Sequence, residues 1–194
     1  GISTLETPPE ERLAAKTLVT RFEAALVREA LEREFARGGQ AYFVHNRLES
    51  IGRVGVFLQR LLPGRRIGVA HAKLPGAALE EVMHRFHAGE IDLLLATAIV
   101  GAGLDVPRAN TLIVDRADRF GLADLYQLKG RVGRSDRRAF AYFLVPHEDR
   151  ITEEAKLRLE ALTELSYLGA GFRLALRDLE IRGAGDLLGA EQVP

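Results

Sequence analysis

Short apolar runs alternate along this chain with longer amphipathic segments, and this alternation restricts its fold more than any other feature. Runs such as QAYFVH (40–45) and DLLLAT (92–97) are almost continuously apolar, which is typical of strands buried on both faces. Segments such as ESIGRVGVFLQRLLP (49–63) carry apolar residues at helical spacing. Because strands separated by helices form parallel sheets covered on both sides, we predict an α/β fold with a doubly wound parallel sheet.

Five strands and four helices follow from these patterns. The predicted strands are residues 40–45, 66–71, 92–97, 110–115 and 139–146. The predicted helices are residues 22–39, 49–63, 76–90 and 124–135. Gly38 is suited to the position just after the first helix, where glycine accepts the left-handed conformation that ends many helices. Together these elements predict one domain over residues 21–146.

The segments on either side of this domain differ from it in character. Residues 1–20 contain a Pro-Pro break and are predicted as a connector. Residues 152–169 have the pattern of a long amphipathic helix, with Thr152 as its N-cap. Short apolar runs broken by glycine follow this helix. Residues 147–194 are therefore predicted as an appended helical hairpin with a loop.

Composition limits the compartment and the partners. The chain of 194 residues has no cysteine, which excludes disulfides and favours a reducing, cytoplasmic compartment. It contains no apolar run near the ~18 residues of a membrane span. Its formal net charge is zero, so any attraction to an anionic partner has to be local. Residues 116–138 hold seven basic and three acidic residues, a net charge of +4, and could meet phosphate.

Several common kinds of site are missing from the sequence. There is no G-x-x-x-x-G-K-[ST] loop to hold a triphosphate. GAGLD (101–105) and RGAGDLLG (182–189) lack the spacing or the context of a dinucleotide loop. His84 and His87 share a helix face, but no third ligand is evident, so no metal site is predicted. No set of Ser, His and Asp indicates a nucleophile.

The segment DLYQLKGRVGRS (124–135) is the strongest candidate for chemistry. If it is helical, Gln127, Arg131 and Arg134 form one stripe, and two glycines leave space beside them for a phosphate or another domain. Each glycine would cost such a helix about 1 kcal/mol relative to alanine. Two guanidinium groups can hold a phosphoryl group and stabilise the charge that develops on it. The structural alternative is a solvated basic face with two packing glycines.

Two of these stretches match a known family. QLKGRVGR (127–134) resembles motif VI of superfamily 2 helicases, and ATAIVGAGLDVP (96–107) resembles their motif V. Residues 6–17, 36–51 and 115–146 resemble the second RecA-like lobe of the bacterial transcription–repair coupling factors, the Mfd family. LGAGFRLALRDLEIRGAGDLLGAEQ (168–192) resembles the translocation motif that this family shares with RecG. The resemblance thus implies a RecA-like lobe over residues 21–146 and a translocation motif over residues 147–194.

The resemblance also implies roles on the nucleotide side. Arg131 and Arg134 would be arginine fingers that reach ATP bound between two lobes, and Gln127 would help to orient them. Three further positions would line the nucleotide: Gly103, Asp105 and Gly130. ATP and Mg²⁺ would be held mainly by a preceding lobe, to which residues 1–20 would connect.

Other positions would act on the DNA side. Thr97 would contact the DNA backbone, and four residues would lie on the DNA-facing rim: Asn46, Arg47, His71 and Lys73. We expect the nucleotide and DNA positions alike at the carboxyl ends of parallel strands, where open α/β sheets bind ligands. Two residues of the appended motif would couple closure of the lobes to movement along duplex DNA: Arg158 and Gln192.

Several of these residues have a structural alternative that the sequence leaves open. Thr97 could cap the end of a strand, and Asp105 could form a turn before Val-Pro. His71 could be a half-buried histidine with satisfied hydrogen bonds, and Asn46 could form an Asx-turn.

The expected function is the second motor lobe of an ATP-dependent double-stranded DNA translocase. Such a translocase would act as a monomer without membrane contact, displace stalled RNA polymerase and recruit excision-repair proteins through other domains. The chain alone is expected to be inactive, because it lacks a phosphate-binding loop. Three alternatives stay open: a RecG-like branched-DNA helicase lobe, a non-catalytic module that binds nucleic acid or protein, and a small-molecule enzyme that binds a nicotinamide or flavin nucleotide at GAGLD.

Overall fold

A computed structural model describes residues 15–98, 106–133 and 135–164 of the chain. The strands in these ranges are β1 (Lys16–Arg21), β2 (Gln40–Val44), β3 (Ile67–Ala70), β4 (Leu93–Ala96), β5 (Ala109–Val114) and β6 (Phe140–Val145). The helices are α1 (Ala24–Ala36), α2 (Leu48–Leu61), α3 (Gly76–His87), α4 (Leu122–Lys129) and α5 (Glu153–Glu164). Two short 3-10 helices span Ala117–Arg119 and Glu148–Arg150.

The six strands form one parallel sheet in the order β1-β6-β5-β2-β4-β3. β2 and β5 lie side by side in its middle, with Val44 paired to Val114 at their carboxyl ends. The chain leaves β2 through α2 toward β3, whereas it leaves β5 through α4 toward β6. The direction of the connections therefore reverses between these two strands. Such a switch point opens a crevice at the carboxyl edge of a doubly wound sheet.

An apolar layer covers each face of the sheet. On one face, Leu31 of α1 and Leu58 of α2 pack in a cluster with Phe43 of β2. On the other face, α3, α4 and α5 contribute to a second cluster, which contains Tyr42 and Val44. Neighbouring residues of β2 thus point to opposite faces, as strand geometry requires. The predicted doubly wound parallel sheet and its five predicted strands are confirmed.

β1 was not predicted from the sequence, so the predicted count of five strands was wrong. β1 lies at the edge of the sheet, where it pairs with β6 over six residues. Its sequence, KTLVTR, has charged ends and only two large apolar residues, and its middle is only half-buried. An edge strand of this kind lacks the continuous apolar run that identified the other strands. It overlaps the end of the segment that was predicted as a connector.

Helix ends follow the expected local rules in two places. α1 ends at Ala36, and Gly38 has a φ of 83°, which confirms that glycine stops this helix in the left-handed conformation. The Thr152 hydroxyl accepts the Ala155 backbone N–H at 3.1 Å, so Thr152 caps α5 as predicted. The described part of α5 ends at Glu164, and the predicted hairpin that follows lies outside the described residues. None of the helices in the three described ranges is long and apolar enough to cross a membrane.

The helix predicted over residues 124–135 is present as α4, but its predicted end was wrong. α4 ends at Lys129, and Gly130 is its C-cap. Arg131 N–H then bonds to Leu128 O at 3.0 Å, which tightens the end of the helix into a turn. Gly133 has a φ of 88°, a conformation that glycine accepts without strain. The two glycines therefore end the helix and turn the chain, and Arg131 does not share a helical stripe with Gln127.

Candidate functional site

Two of the predicted DNA-side residues follow β2 at the carboxyl edge of the sheet. Asn46 and Arg47 form the short link between β2 and α2, and both are exposed. Arg47 Nε lies 3.6 Å from Glu49 Oε1, a loose contact between two exposed side chains. Asn46 makes no side-chain hydrogen bond to any described residue, so the structure does not support the Asx-turn alternative. Both side chains are available to an external ligand.

The loop after β3 brings His71 and Lys73 to the same edge. His71 is half-buried, and its Nδ1 accepts the Lys73 backbone N–H at 3.2 Å. This hydrogen bond fits the structural alternative for His71, but it uses only one ring nitrogen. Lys73 is exposed. The pair presents a cationic ammonium beside an imidazole whose Nε2 remains available.

Thr97, which follows β4, differs from the exposed rim residues. It is only 4% exposed, and its hydroxyl has no hydrogen-bond partner among the described residues. The hydroxyl therefore does not cap the strand, which was its structural alternative. A buried hydroxyl without a hydrogen-bond partner destabilises the folded state by about 1–3 kcal/mol, because its contacts with water are lost and not replaced. Contact with DNA at this position would require the hydroxyl to become accessible, so the predicted role stays a prediction.

The segment after α4 that contains Arg131 (residues 130–133), here called the arginine loop, lies at the opposite edge of the sheet. This corrects the expectation that all candidate residues share the carboxyl edge. β5 and β6 are parallel, so α4 carries the chain from the carboxyl end of β5 back to the amino end of β6. Arg131 lies in this return segment and is half-buried. The Gly133 backbone N–H donates to Asn110 Oδ1 at 3.4 Å, which ties the loop to the start of β5. Ordinary crossover geometry therefore separates Arg131 from the rim.

Two residues near Arg131 are accessible, one on α4 and one at its C-cap. Gln127 and Gly130 are both exposed. Among the described residues, a Cβ added to Gly130 would meet the Gln127 and Tyr126 backbone oxygens, at 3.4 and 3.6 Å. The space that was expected beside Arg131 and Arg134 stays a prediction, because Arg134 lies outside the described residues.

Lys129 is the unexpected member of this segment. Its side chain lies inside the protein, and Nζ has no hydrogen-bond partner in the part of the chain that the structure describes. Burial lowers the pKa of Lys129 to about 8, because the charged ammonium is poorly solvated there. Lys129 therefore does not add to the cationic surface of the loop in the way that its sequence position suggests.

Arg158 connects α5 to the body of the domain. Its Nη2 donates to the Asp118 backbone oxygen at 3.4 Å, and its buried Nε has no hydrogen-bond partner within the described ranges. Asp118 in turn binds Arg116 through two hydrogen bonds of 2.9 and 2.8 Å. The side-chain hydrogen bond to Asp118 raises the pKa of Arg116. Arg158 is thus joined through Asp118 to the carboxyl end of β5, a position that suits its predicted coupling role.

The remaining predicted site residues lie outside the described residues: Gly103, Asp105, Arg134 and Gln192. His84 and His87 are both exposed on α3. Within the described ranges, no group of three or more His, Cys, Asp or Glu side chains is placed to hold a metal ion.

A hydrogen-bonded chain of three side chains lies at the switch point and was not predicted from the sequence. His45 Nδ1 lies 2.7 Å from Asp115 Oδ2, and His45 Nε2 lies 2.6 Å from Ser50 Oγ. His45 follows β2, Asp115 follows β5 and Ser50 lies in the first turn of α2. The signal was present in the sequence, because YFVH and LIVD are apolar strands that each end in a polar residue. No motif linked the two, since their proximity depends on the sheet order.

Comparison with known proteins assigns this arrangement to a family. The helicase conserved C-terminal domain matches residues 23–136, which is more than half of the chain. The chain belongs to the helicase C-terminal domain family. The match includes the rim residues, the switch point and Arg131, whereas β1, β6 and α5 lie outside it.

Individual proteins are also similar in sequence to this helicase C-terminal domain. The transcription-repair-coupling factor of Myxococcus xanthus is 52% identical over 191 residues, which are 98% of this chain and 16% of that protein. The factor of Bacillus subtilis is 51% identical, with the same coverage. The chain thus spans only about a sixth of these relatives.

Solved structures agree with this assignment. The structure of RecG bound to a three-way DNA junction superposes with a TM-score of 0.74 at 34% identity, over 89% of this chain and 23% of that one. The C-terminal domain of the DEAD-box protein Dbp5 superposes with a TM-score of 0.55 at 17% identity, over 76% of this chain and 84% of that one, which shows the shared fold. The predicted RecA-like fold is therefore confirmed.

Proposed function

We propose that this chain is the second motor lobe of an ATP-dependent double-stranded DNA translocase that couples transcription to nucleotide excision repair. The observation that carries this proposal is the identity of about half of all residues, over 98% of the chain, with transcription-repair-coupling factors. Similarity that extends from end to end includes the sheet, both edges and α5. It goes beyond the family match alone, which ends at residue 136.

The ATP side of the proposal rests on the loop after α4. Arg131, with Arg134, would reach the γ-phosphate of ATP held in the cleft between this lobe and a preceding one, with Gln127 orienting the pair. Two glycines and one aspartate would line the nucleotide: Gly103, Gly130 and Asp105. A guanidinium delivered in this way accelerates phosphoryl transfer by about 10³–10⁵. The position of Arg131 in a half-buried turn directly after α4 supports this assignment.

The preceding lobe would hold most of the ATP and Mg²⁺, because this chain contains no G-x-x-x-x-G-K-[ST] loop. When bound, Mg²⁺ neutralises charge on the phosphates during hydrolysis. The residues of this lobe fit the complementary task, since a cationic side chain on a tied-down loop supplies charge from across a cleft. Asn110 is one of the tethers of that loop.

The DNA side of the proposal rests on the carboxyl edge. Arg47 and Lys73 are exposed cations there, with exposed Asn46 and half-buried His71 beside them. These side chains would bind the phosphate backbone, which carries no sequence information and therefore suits a translocase. Thr97 would join them once its hydroxyl becomes accessible. Arg158 and Gln192 would transmit closure of the lobes to this grip.

In the full-length protein, these events would displace a stalled RNA polymerase from DNA. The contacts with RNA polymerase and with excision-repair proteins would be made by other domains. We propose a monomer that acts in the cytoplasm without membrane contact.

A RecG-like helicase lobe that acts on branched DNA is the second candidate, and the superposition with DNA-bound RecG favours it. The 34% identity to RecG is lower than the 52% identity to the Myxococcus factor. The two candidates differ in substrate. Displacement of RNA polymerase stalled on linear duplex DNA supports the first, and unwinding of three-way junctions without polymerase displacement supports the second.

The motor assignment can be tested by measuring ATP hydrolysis with and without duplex DNA. We expect the full-length protein to hydrolyse ATP faster when duplex DNA is added, and the 194-residue chain alone to show no turnover above background. Turnover by the chain alone would contradict the two-lobe account. A full-length protein that binds DNA but never hydrolyses ATP would instead support a non-catalytic binding module.

A further inference from the structure

The crevice at the switch point between β2 and β5 contains a cavity of about 570 Å³. Strands β2, β5 and β6 reach it at their carboxyl ends, and α2 forms one side. Its volume falls within the ~300–1,000 Å³ range of small-molecule sites. Doubly wound sheets bind their ligands at this position because two neighbouring strands send their connections to opposite sides. The arginine loop lies at the other edge of the sheet, so this cavity is separate from the ATP side of the motor.

One wall of the cavity is aromatic and uncovered. Phe22 follows β1, Phe57 lies on α2, and their ring centroids are 5.8 Å apart. Phe22 is 43% exposed and Phe57 is 37% exposed, although large apolar side chains are usually covered in a folded domain. An exposed pair of rings beside a cavity offers a stacking surface for a flat ring of a ligand.

The rim of the cavity is cationic. Arg53 of α2 and Arg150 of the second 3-10 helix line it, and neither guanidinium has an ion-pair partner among the described residues. Arg116 also lines the cavity, but two hydrogen bonds hold it to Asp118. Two uncommitted guanidiniums match one phosphoryl group, which carries nearly two negative charges near neutral pH.

The side of the cavity nearest the strands presents hydrogen-bond acceptors. Ser50 and Asp115 line it, and both contact His45. With a neutral imidazole, Nδ1–H donates to the Asp115 carboxylate, and Nε2 then accepts the Ser50 hydroxyl proton. This arrangement leaves the lone pairs of Ser50 Oγ and the second Asp115 oxygen as acceptors. A ligand that fills this side therefore needs donors such as hydroxyl or amino groups.

We propose that this cavity binds a nucleoside monophosphate. The base stacks on Phe22 and Phe57, the phosphate binds Arg53 and Arg150, and the sugar hydroxyls donate to Asp115 and Ser50. A ring, one dianionic group and hydroxyl donors in a single small molecule are the combination that these surfaces require. The inference goes beyond the proposed function, because a motor lobe needs no nucleotide of its own at this edge.

Isothermal titration of the 194-residue chain with AMP tests the proposal, since the chain lacks the G-x-x-x-x-G-K-[ST] loop that would hold a triphosphate. We expect saturable one-to-one binding with a Kd below about 1 mM. Arg53→Ala and Phe57→Ser should each weaken binding at least about tenfold, the usual loss for a charged or stacking contact. Arg150→Ala provides a second cationic variant if either of these fails to fold.

Two controls locate the ligand. Arg60→Ala removes an exposed arginine from the same helix outside the cavity and should leave the AMP affinity unchanged. Arg131→Ala should also leave it unchanged. Loss of AMP binding in Arg131→Ala, with wild-type affinity in Arg53→Ala, would place the nucleotide at the other edge and overturn the proposal.

The remaining outcomes also decide the matter. No saturable heat up to about 10 mM AMP would overturn the proposal. So would binding of a short duplex oligonucleotide that depends on Arg53 when AMP does not bind, because the cationic rim would then be part of the DNA grip. Neither result requires ATP hydrolysis, so the motor assignment would stand or fall separately.

Discussion

At the amino edge of the sheet, polar side chains hold strands and loops together, whereas at the carboxyl edge several of them are exposed and available. Gln40 Nε2, at the start of β2, donates to the backbone oxygens of Phe86 and Ile91 at 2.7 Å each. At the carboxyl edge, Asn46 after β2 and Lys73 after β3 are exposed, and neither side chain makes a hydrogen bond or an ion pair with a described residue.

The difference matches what each edge has to do in the proposed motor. An arginine that completes a site on another lobe must be held in place, because displacement by about 1 Å can cost a hundredfold in rate. A surface that grips and releases DNA or a small ligand needs accessible donors and acceptors instead. Tests that disrupt the amino edge should therefore affect stability, while tests at the carboxyl edge should affect binding.

The largest stability effect should come from Glu34 at the amino edge. Its buried carboxylate accepts hydrogen bonds from Thr111 Oγ1 and Arg37 Nη2, both at 2.6 Å. Glu34→Ala leaves a buried hydroxyl and a guanidinium without their partner, so we expect the free energy of unfolding to fall by about 3–5 kcal/mol. Urea denaturation measures this loss.

Glu32→Ala is the matched control for Glu34→Ala. Glu32 lies on the same helix and also binds an arginine, Arg65, but both side chains are more than a third exposed. We expect a loss below about 1 kcal/mol. Equal losses for the two variants would show that the amino edge is not held by the buried carboxylate.

Substitution of Lys129 should change the free energy of unfolding by a smaller amount and in the opposite direction, toward higher stability. Burial lowers its folded pKa to about 8, from an ordinary value of 10.5, so folding opposes its charged form. The penalty is fully present below pH 8 and fades as the pH rises toward 10.5. Lys129→Met should therefore stabilise the protein by about 1–3 kcal/mol at pH 7.

The pH dependence provides the check on Lys129. Thermal denaturation from pH 7 to pH 10.5 should show the gain of Lys129→Met over the wild type shrinking across this range. A gain that does not change with pH would mean that side-chain packing, and not the buried charge, sets the difference.

The smallest effect is expected at the carboxyl edge. Ser50→Ala removes the hydroxyl that bonds to His45 Nε2, and we expect the free energy of unfolding to fall by about 1 kcal/mol. Thr163→Ala removes an exposed hydroxyl of α5 that bonds to Glu160 O, and it should lower the free energy of unfolding by less. If Ser50→Ala cost as much as Glu34→Ala, the contrast between the two edges would be lost. Denaturant titration at pH 7 is sufficient for this comparison.

The sequence predicted the sheet well because its central strands are buried on both faces. Residues such as Phe43 and Leu94 belong to runs that have no polar alternation, and a parallel sheet is the usual explanation for them. β1 escaped detection because an edge strand needs less apolar character. The helix before Arg131 was overextended because its sequence keeps an apolar period through Val132, while Gly130 already ends it.

The site was predicted less completely, for a topological reason. Asn46, Arg47 and Lys73 were correctly expected on one edge, since each follows a strand. Arg131 was placed on that same edge because a motif does not show where its helix returns the chain. The contact between His45, Asp115 and Ser50 depends on β2 lying beside β5, an order that no local pattern specifies.

The central claim is that one edge of this lobe acts on ATP and the other acts on DNA. The most direct test is ATP turnover by the full-length protein as a function of duplex DNA concentration, with Arg131→Ala compared to Lys73→Ala. We expect Arg131→Ala to lower kcat by about 10³ or more, with little change in the DNA concentration for half-maximal turnover.

For Lys73→Ala, we expect the DNA concentration for half-maximal turnover to rise several-fold, because a phosphate contact contributes to DNA binding. We expect kcat at saturating DNA to stay near the wild-type value. Wild-type turnover by Arg131→Ala, or a change in the same parameter in both variants, would contradict the division of work between the two edges.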